Sequence, residues 1–124
     1  MEITYKTRKI EKVCTIASEA EKKYGSEMAE KIHQRIDEID ASDTVEEMVQ
    51  FHIGRCHPLK GNRKGQYAMD LVHPYRLVFE KIGNEIQIAN VMEIVDYIKV
   101  PFHLRRYYDG EKSQFYCNTT GSNY

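Results

Sequence analysis

Residues 64–80 have the sequence KGQYAMDLVHPYRLVFE, and this stretch decides the fold. Apolar and polar residues alternate on both sides of its central His73-Pro74 pair. The apolar positions are Tyr67, Met69 and Leu71 before the pair, and Tyr75, Leu77 and Phe79 after it. A period of two is typical of strands that bury one face, and a proline between two such runs indicates a turn. The stretch therefore predicts two neighbouring strands over residues 66–72 and 75–80.

A third strand is predicted over residues 85–96, after a second turn at Gly83-Asn84. Its two faces are both apolar in part, with Ile86, Ile88, Asn90, Met92 and Ile94 on one and Val91 and Val95 on the other. Strands that are apolar on both faces usually lie inside a sheet rather than at its edge. The three strands together predict a β-meander.

Upstream of the strands, the apolar period changes to that of a helix. After a short β-compatible segment at residues 2–6, apolar residues recur at three- and four-residue steps, at Ile10, Val13, Ala17, Ala20 and Tyr24. This predicts one amphipathic helix that starts at Arg8 and that Gly25 ends.

A second helix is predicted directly after Gly25, with Ser26 as its N-cap. Its inward-facing residues are Met28, Ile32, Ile36 and Ile39. So short a connection favours an antiparallel helical hairpin. The spacing of Thr44 and Glu47 is that of a capping box and predicts a short third helix through Val49.

The order of these elements predicts an α+β fold, in which an N-terminal strand and a two-helix hairpin pack on a small, mostly antiparallel sheet. The 124 residues suit one domain. We expect residues 1–98 to form it. Residues 99–124 lack a clear period and are predicted to be a C-terminal extension, partly flexible.

The composition favours a cytoplasmic protein. No apolar run approaches the roughly 20 residues needed to cross a bilayer, and the charged N-terminus lacks the apolar region of a secretory signal. Cys14, Cys56 and Cys117 make an odd number with wide spacing, which argues against a disulfide framework.

Charge is distributed unevenly along the chain. The net charge is −1, yet residues 1–51 hold 8 basic and 12 acidic residues, while residues 52–81 hold 6 basic and 2 acidic residues and three histidines. A polyanion responds to the local field rather than to the total. The middle segment is therefore the candidate surface for an anionic partner, although such segments also arise by chance on soluble proteins.

Cations stand beside glycines in residues 55–67, RCHPLKGNRKGQY. Glycine lets a backbone approach a phosphate, and Lys and Arg neutralise it. Candidate RNA-binding residues are Arg55, Arg63, Lys64, Tyr67 and His73. The alternative is a solvated loop. Arg76 is predicted on the non-core face of its strand, either aimed at a ligand from a rigid element or paired with a surface carboxylate.

Neither a metal nor a cofactor is predicted. His52, Cys56 and His57 approach a ligand spacing, but no second Cys/His pair follows. Cys56 has no evident base beside it and is predicted to be a small, semi-buried residue. Phosphate-binding and dinucleotide-binding motifs are absent from the sequence.

RNA cleavage through the 2′-hydroxyl needs no metal. It needs a group that removes the hydroxyl proton, charge stabilisation on the phosphorane, and a group that protonates the leaving 5′-oxygen. Cations provide the second, and side chains with a tuned pKa provide the others. Candidates are His57, Lys60, Asp96 and Tyr97. Tyr97 would return beside Arg76 if the last strand lies next to residues 75–80.

The strings PLKG, YRLVF and NVMEIVDYI resemble the RelE/ParE superfamily, most closely the HigB-like plasmid-maintenance killer proteins, over about residues 2–98. The resemblance implies a RelE-like fold and a ribosome-dependent endoribonuclease that cuts mRNA. It also implies a helix-turn-helix antitoxin from the same operon, with operator DNA bound only through that antitoxin, and no membrane partner.

Carried over by position, Lys60 matches a residue that binds or activates the RNA, Arg76 the arginine at the scissile phosphate, and Asp96-Tyr97 the pair that closes the fold. Two positions depart from the pattern. Ile98 stands where HigB-like proteins commonly have histidine. Near the position of Val72, in the first strand of the hairpin, RelE has a second arginine that this sequence lacks. Proton transfer is thereby left to His57, Tyr97 or Lys60.

Two other readings stay open. A ParE-like protein would share the fold and poison gyrase without RNA chemistry, and a degenerate toxin would bind an antitoxin with little catalysis. The extension after Ile98 is longer than such toxins need. It either packs over the site, binds the antitoxin or is disordered.

Overall fold

The computed structural model describes residues 1–108 and contains nine principal elements and four short 3₁₀ turns. The strands are β1 (Glu2–Tyr5), β2 (His57–Pro58), β3 (Gln66–Asp70), β4 (Tyr75–Ile82) and β5 (Ile88–Asp96). The helices are α1 (Arg8–Thr15), α2 (Ala17–Tyr24), α3 (Ser26–Ala41) and α4 (Val45–Gln50). The 3₁₀ turns are Ile53–Arg55, Gly61–Arg63, Tyr97–Lys99 and Phe102–Tyr107.

The five strands form one sheet in the order β1-β5-β4-β3-β2, with only β1 and β5 parallel. The predicted α+β class with a mostly antiparallel sheet is confirmed. The β3–β4 pairing places Met69 opposite Leu77 and Asp70 opposite Arg76. β5 lies inside the sheet, between β1 and β4, as its two apolar faces predicted.

A β-bulge changes the predicted faces of β5. Val78 pairs with Glu93 and Phe79 with Val91, so Met92 is an extra residue that reverses the alternation. Val91 and Ile94 consequently pack on the helix side, while Met92 and Val95 pack on the other. The prediction of one face running from Ile86 to Ile94 was therefore wrong. Ile86 itself precedes the strand and is exposed.

The predicted first helix is two helices. The Thr15 hydroxyl donates to the carbonyl of Glu11 at 2.7 Å, a contact that often bends helices. Ile16 then adopts an extended backbone between α1 and α2. The predicted N-cap at Ser26 was also wrong, because Gly25, at φ 91°, both ends α2 and caps α3. The capping box is confirmed: Thr44 accepts from the Glu47 amide at 3.1 Å.

Two apolar clusters lie on opposite faces of the sheet. The larger, beneath the helices, includes the predicted inward residues of α3 and the alternate residues Met69, Leu77 and Phe79. The smaller consists of Leu59, Ala68, Val78 and Tyr108. Within residues 1–108, the helices are all too short or too polar to cross a membrane.

Candidate active site

The second face of the sheet is covered by the segment that follows β5. After Tyr97–Lys99 the chain turns back, and residues 101–108, which we term the C-terminal strap, end on Tyr108 in the smaller apolar cluster. Tyr108 is 8% exposed. Val100 and Tyr108 of the predicted extension thus pack against the sheet, whereas residues 109–124, with Cys117, lie outside the described part of the chain.

Arg76 lies on this face, near the start of β4. Being adjacent to Leu77 in β4, it points away from the helices, as predicted. Its Nη1 donates to the Tyr108 carbonyl at 2.9 Å, and its guanidinium carbon lies 3.9 Å from the centre of the Tyr97 ring. Its side chain is 15% exposed, and Nε is 3.8 Å from a carboxylate oxygen of Asp70. The predicted return of Tyr97 beside Arg76 is confirmed, because β5 pairs with β4.

His57 reaches the same carbonyl from β2. Its Nε2 is 2.7 Å from the Tyr108 oxygen, and its Nδ1 is 2.7 Å from the Arg55 oxygen. A neutral imidazole carries one N–H, so only one contact is then a hydrogen bond, whereas the protonated ring satisfies both. Burial is the main influence and lowers the pKa of His57; the two carbonyls oppose this, and nearby Arg55 and Arg76 reinforce it.

The Tyr108 carbonyl therefore receives two convergent groups, one always cationic and one titratable. The oxygen lies 2.9 Å from Arg76 Nη1 and 2.7 Å from His57 Nε2. Such a pair suits the oxygen of a phosphate, which carries more negative charge than a peptide carbonyl.

Asp70 holds two arginines at this site and was not foreseen. It accepts from Arg55 Nε at 2.8 Å and Arg55 Nη2 at 3.1 Å, and it faces Arg76 across the hairpin. Its carbonyl accepts from Arg35 Nε at 2.6 Å, which fixes the strand end to α3. The alternation of the hairpin contained the signal, since Asp70 and Arg76 flank the turn at matching distances.

The other predicted catalytic residues lie around this centre. The Lys60 amide donates to the Tyr107 carbonyl at 3.0 Å, so its backbone borders the C-terminal strap. Asp96 ends β5, and its carboxylate accepts from the Ile98 amide at 3.1 Å. Ile98, at the position of the expected histidine, is 55% exposed.

The predicted RNA-binding residues divide into two groups. Arg55 and Arg63 lie on the site's face: Arg55 is bound to Asp70, and Arg63 pairs with Glu93 with its guanidinium 5.1 Å from the Tyr108 ring centre. Tyr67 lies on the helix side, stacked on Phe79 at 5.8 Å. Lys64 is exposed in the loop before β3, and His73 in the turn after it. The structure does not bring Tyr67 together with Arg76, because their strand positions face opposite ways.

Two thiols are protected by burial. Cys14 and Cys56 are 2% and 3% exposed, and burial raises the pKa of each to about 12. A thiol held protonated is a poor nucleophile, so the prediction of Cys56 as a packing residue agrees with its setting. Within residues 1–108, His, Cys, Asp and Glu side chains form no group of three that could hold a metal ion.

Comparison with solved structures identifies this architecture. A YoeB/ParE toxin from Agrobacterium tumefaciens superposes with a TM-score of 0.54 at 19% identity, over 76% of this chain and 95% of that one. The chain has the fold of a YoeB/ParE toxin. No protein-family model and no curated protein matches the sequence. The expected RelE-like fold is confirmed, and the closer likeness to HigB stays a prediction.

Proposed function

We propose that the protein is the toxin of a type II toxin–antitoxin system and acts as a ribosome-dependent endoribonuclease on mRNA. The observation that carries this proposal is the convergence of Arg76 and His57 on one oxygen, at 2.9 and 2.7 Å, on a rigid sheet. A cation can stabilise the charge of a phosphorane, and a titratable imidazole can transfer a proton, so the pair provides two of the functions that metal-independent RNA cleavage needs.

In the proposed reaction, His57 accepts the proton of the 2′-hydroxyl, the 2′-oxygen attacks the adjacent phosphorus, and the bond from phosphorus to the 5′-oxygen breaks as that oxygen takes a proton from solvent water. Arg76 stabilises the charge on the phosphorane. The geometry favours His57 over Tyr97 and Lys60 for proton transfer, because its ring shares an oxygen with Arg76. Its lowered pKa keeps it neutral near pH 7 and able to accept a proton. Tyr97 positions Arg76 by supporting its guanidinium.

The proposed partners follow from this assignment: the ribosome and its mRNA as substrate, and a helix-turn-helix antitoxin that neutralises the toxin and carries it to operator DNA. Lys60, Arg63 and Lys64, beside the site in sequence, supply positive charge for the RNA backbone.

A ParE-like gyrase inhibitor is the second candidate. It is favoured by the small exposure of Arg76 and His57, 15% and 7%, and by the name ParE in the structural neighbour. A catalytically degenerate toxin would show the same covered site.

One experiment separates these candidates. Wild type, Arg76→Ala and the matched control Arg8→Ala, which removes an exposed arginine from α1, are induced in growing cells, and mRNA 5′ ends are mapped. We expect wild type and Arg8→Ala to cut translated mRNA, and Arg76→Ala to cut roughly 10²–10³-fold more slowly. Growth arrest without mRNA cuts, with gyrase supercoiling inhibited by purified protein, would establish the ParE-like candidate. Normal growth under induction would indicate the degenerate toxin.

A further inference from the structure

We propose that the C-terminal strap inhibits the chain's own active site, with the Tyr108 carbonyl occupying the position of a substrate phosphate oxygen. This inference rests on the proposed function and adds a form of regulation to the same site. A phosphate oxygen cannot take this position while Arg76 and His57 both contact the Tyr108 carbonyl oxygen. RNA and the closed C-terminal strap therefore exclude each other.

The C-terminal strap is held by three kinds of contact. Arg76 Nη1 and the Lys60 amide donate hydrogen bonds to its backbone carbonyls, and His57 Nε2 lies 2.7 Å from the Tyr108 carbonyl oxygen. The Tyr108 side chain packs against Leu59 and Val78, beneath the Arg63 guanidinium.

The loop under the C-terminal strap is shaped to receive it. Gly61 has φ +64°, and a Cβ at that position would collide with the Tyr107 ring. Glycine is thus required there both by the left-handed backbone and by the approach of the ring. Gly65, in the same loop, has φ +96° but open space around it.

The attachment permits opening without unfolding. The C-terminal strap follows the last strand and contributes no strand to the sheet, whereas the large core lies on the opposite face. Segments with few buried contacts open at low free-energy cost. The apparent affinity for RNA is then the intrinsic affinity multiplied by the open fraction.

Gly61→Ala and Gly65→Ala form a matched pair that tests this. Both alanines carry the cost of a positive φ, and only the first displaces the Tyr107 ring. Opening is followed by hydrogen exchange of the Lys60 amide, and RNA binding by anisotropy with a 2′-O-methyl oligoribonucleotide, which cannot be cleaved. We expect Gly61→Ala to speed Lys60 exchange and to bind RNA about tenfold more tightly, as a tenfold larger open fraction requires. Gly65→Ala should match wild type in both measurements.

A second variant, Tyr108→Ala, removes the buried anchor without adding an atom and should act in the same direction. If Lys60 exchange rises in either variant and RNA affinity does not, self-inhibition is wrong while the proposed nuclease stands on its cleavage of mRNA. Unchanged Lys60 exchange in both variants also contradicts it, because the contacts described would not hold the segment. The proposed function is tested separately by the mapping of mRNA 5′ ends, and it fails if induced wild type leaves translated mRNA uncut.

Discussion

The two faces of the sheet are built from alternate residues of the same strands, yet they differ in almost every physical respect. The helix side holds Leu77 and Phe79 in the larger apolar cluster, and both are fully buried. The other side holds Arg76 and Val78 beneath the C-terminal strap. Burial of apolar side chains on the helix side provides most of the stabilisation of the fold. The second side can therefore hold charged groups and needs only a small apolar cluster. The comparison teaches that β4 carries core residues and candidate site residues at neighbouring positions.

Several charged side chains on the second side are paired with one another. Asp70 is held between Arg55 and Arg76, and Arg63 pairs with Glu93. Fixed charges of this kind need little reorganisation when a charged ligand binds near them. The protein itself thus holds these charged side chains in place.

The largest effect on stability is expected from truncating Phe79, a core residue on the helix side of the sheet. Phe79→Ala should lower the free energy of unfolding by about 3–5 kcal/mol, because a fully buried ring leaves a cavity. Val78→Ala, equally buried but in the small cluster, should lower it by about 1–2 kcal/mol for the apolar groups removed. Urea denaturation of both variants measures the difference. Equal losses would show that the two faces share the stabilisation.

Asp70→Asn should separate catalysis from binding. The amide keeps the shape but weakens the hold on Arg55 and Arg76, so the single-turnover cleavage rate should fall about tenfold through poorer positioning. Loss of a negative charge should at the same time tighten RNA binding. A purely structural role would weaken both.

Glu80→Gln is the control for this variant, since it makes the same change of charge on the same face, four residues from Arg76 in β4. It should leave the cleavage rate near that of wild type. An equal fall in the two variants would assign the effect to charge alone.

Most of the fold was predictable from the sequence, because apolar periodicity reports which side of an element is buried. The β3–β4 hairpin followed from alternation at Tyr67 to Phe79, and the inward side of α3 from Met28 to Ile39. The bulge at Met92 was not predictable, since one extra residue leaves an apolar pattern plausible in either register. The break at Ile16 was hidden for a similar reason: α1 and α2 both continue an apolar stripe.

The site was predictable only in part. Arg76 and Tyr97 followed from strand parity and strand order. His57 was one candidate among several. It meets Arg76 through the Tyr108 carbonyl oxygen, and Tyr108 is 51 residues away from His57 along the chain. A backbone carbonyl has no side-chain signature, so periodicity and motif could not have located this third member of the cluster.

The smallest predicted effect concerns pH and again distinguishes the two faces. Folding lowers the pKa of His57 below its ordinary value. As pH falls below about 6.5, the unfolded chain therefore binds more protons at this residue than the folded chain does. The resulting stability is present above that pH and is lost as pH falls toward the folded pKa, by at most about 1.4 kcal/mol per pH unit. His57→Gln should remove this part of the slope below about pH 6.5, as followed by urea denaturation at each pH.

His52→Gln is the matched control, because His52 is exposed beyond α4. It makes the same substitution outside the site and is the reference for His57→Gln. If His57→Gln leaves the slope of stability against pH unchanged, the protonated ring must be accepted in the folded site at little cost. The two carbonyls that face its nitrogens would then outweigh burial, and His57 would act as a second cation beside Arg76 rather than as a base.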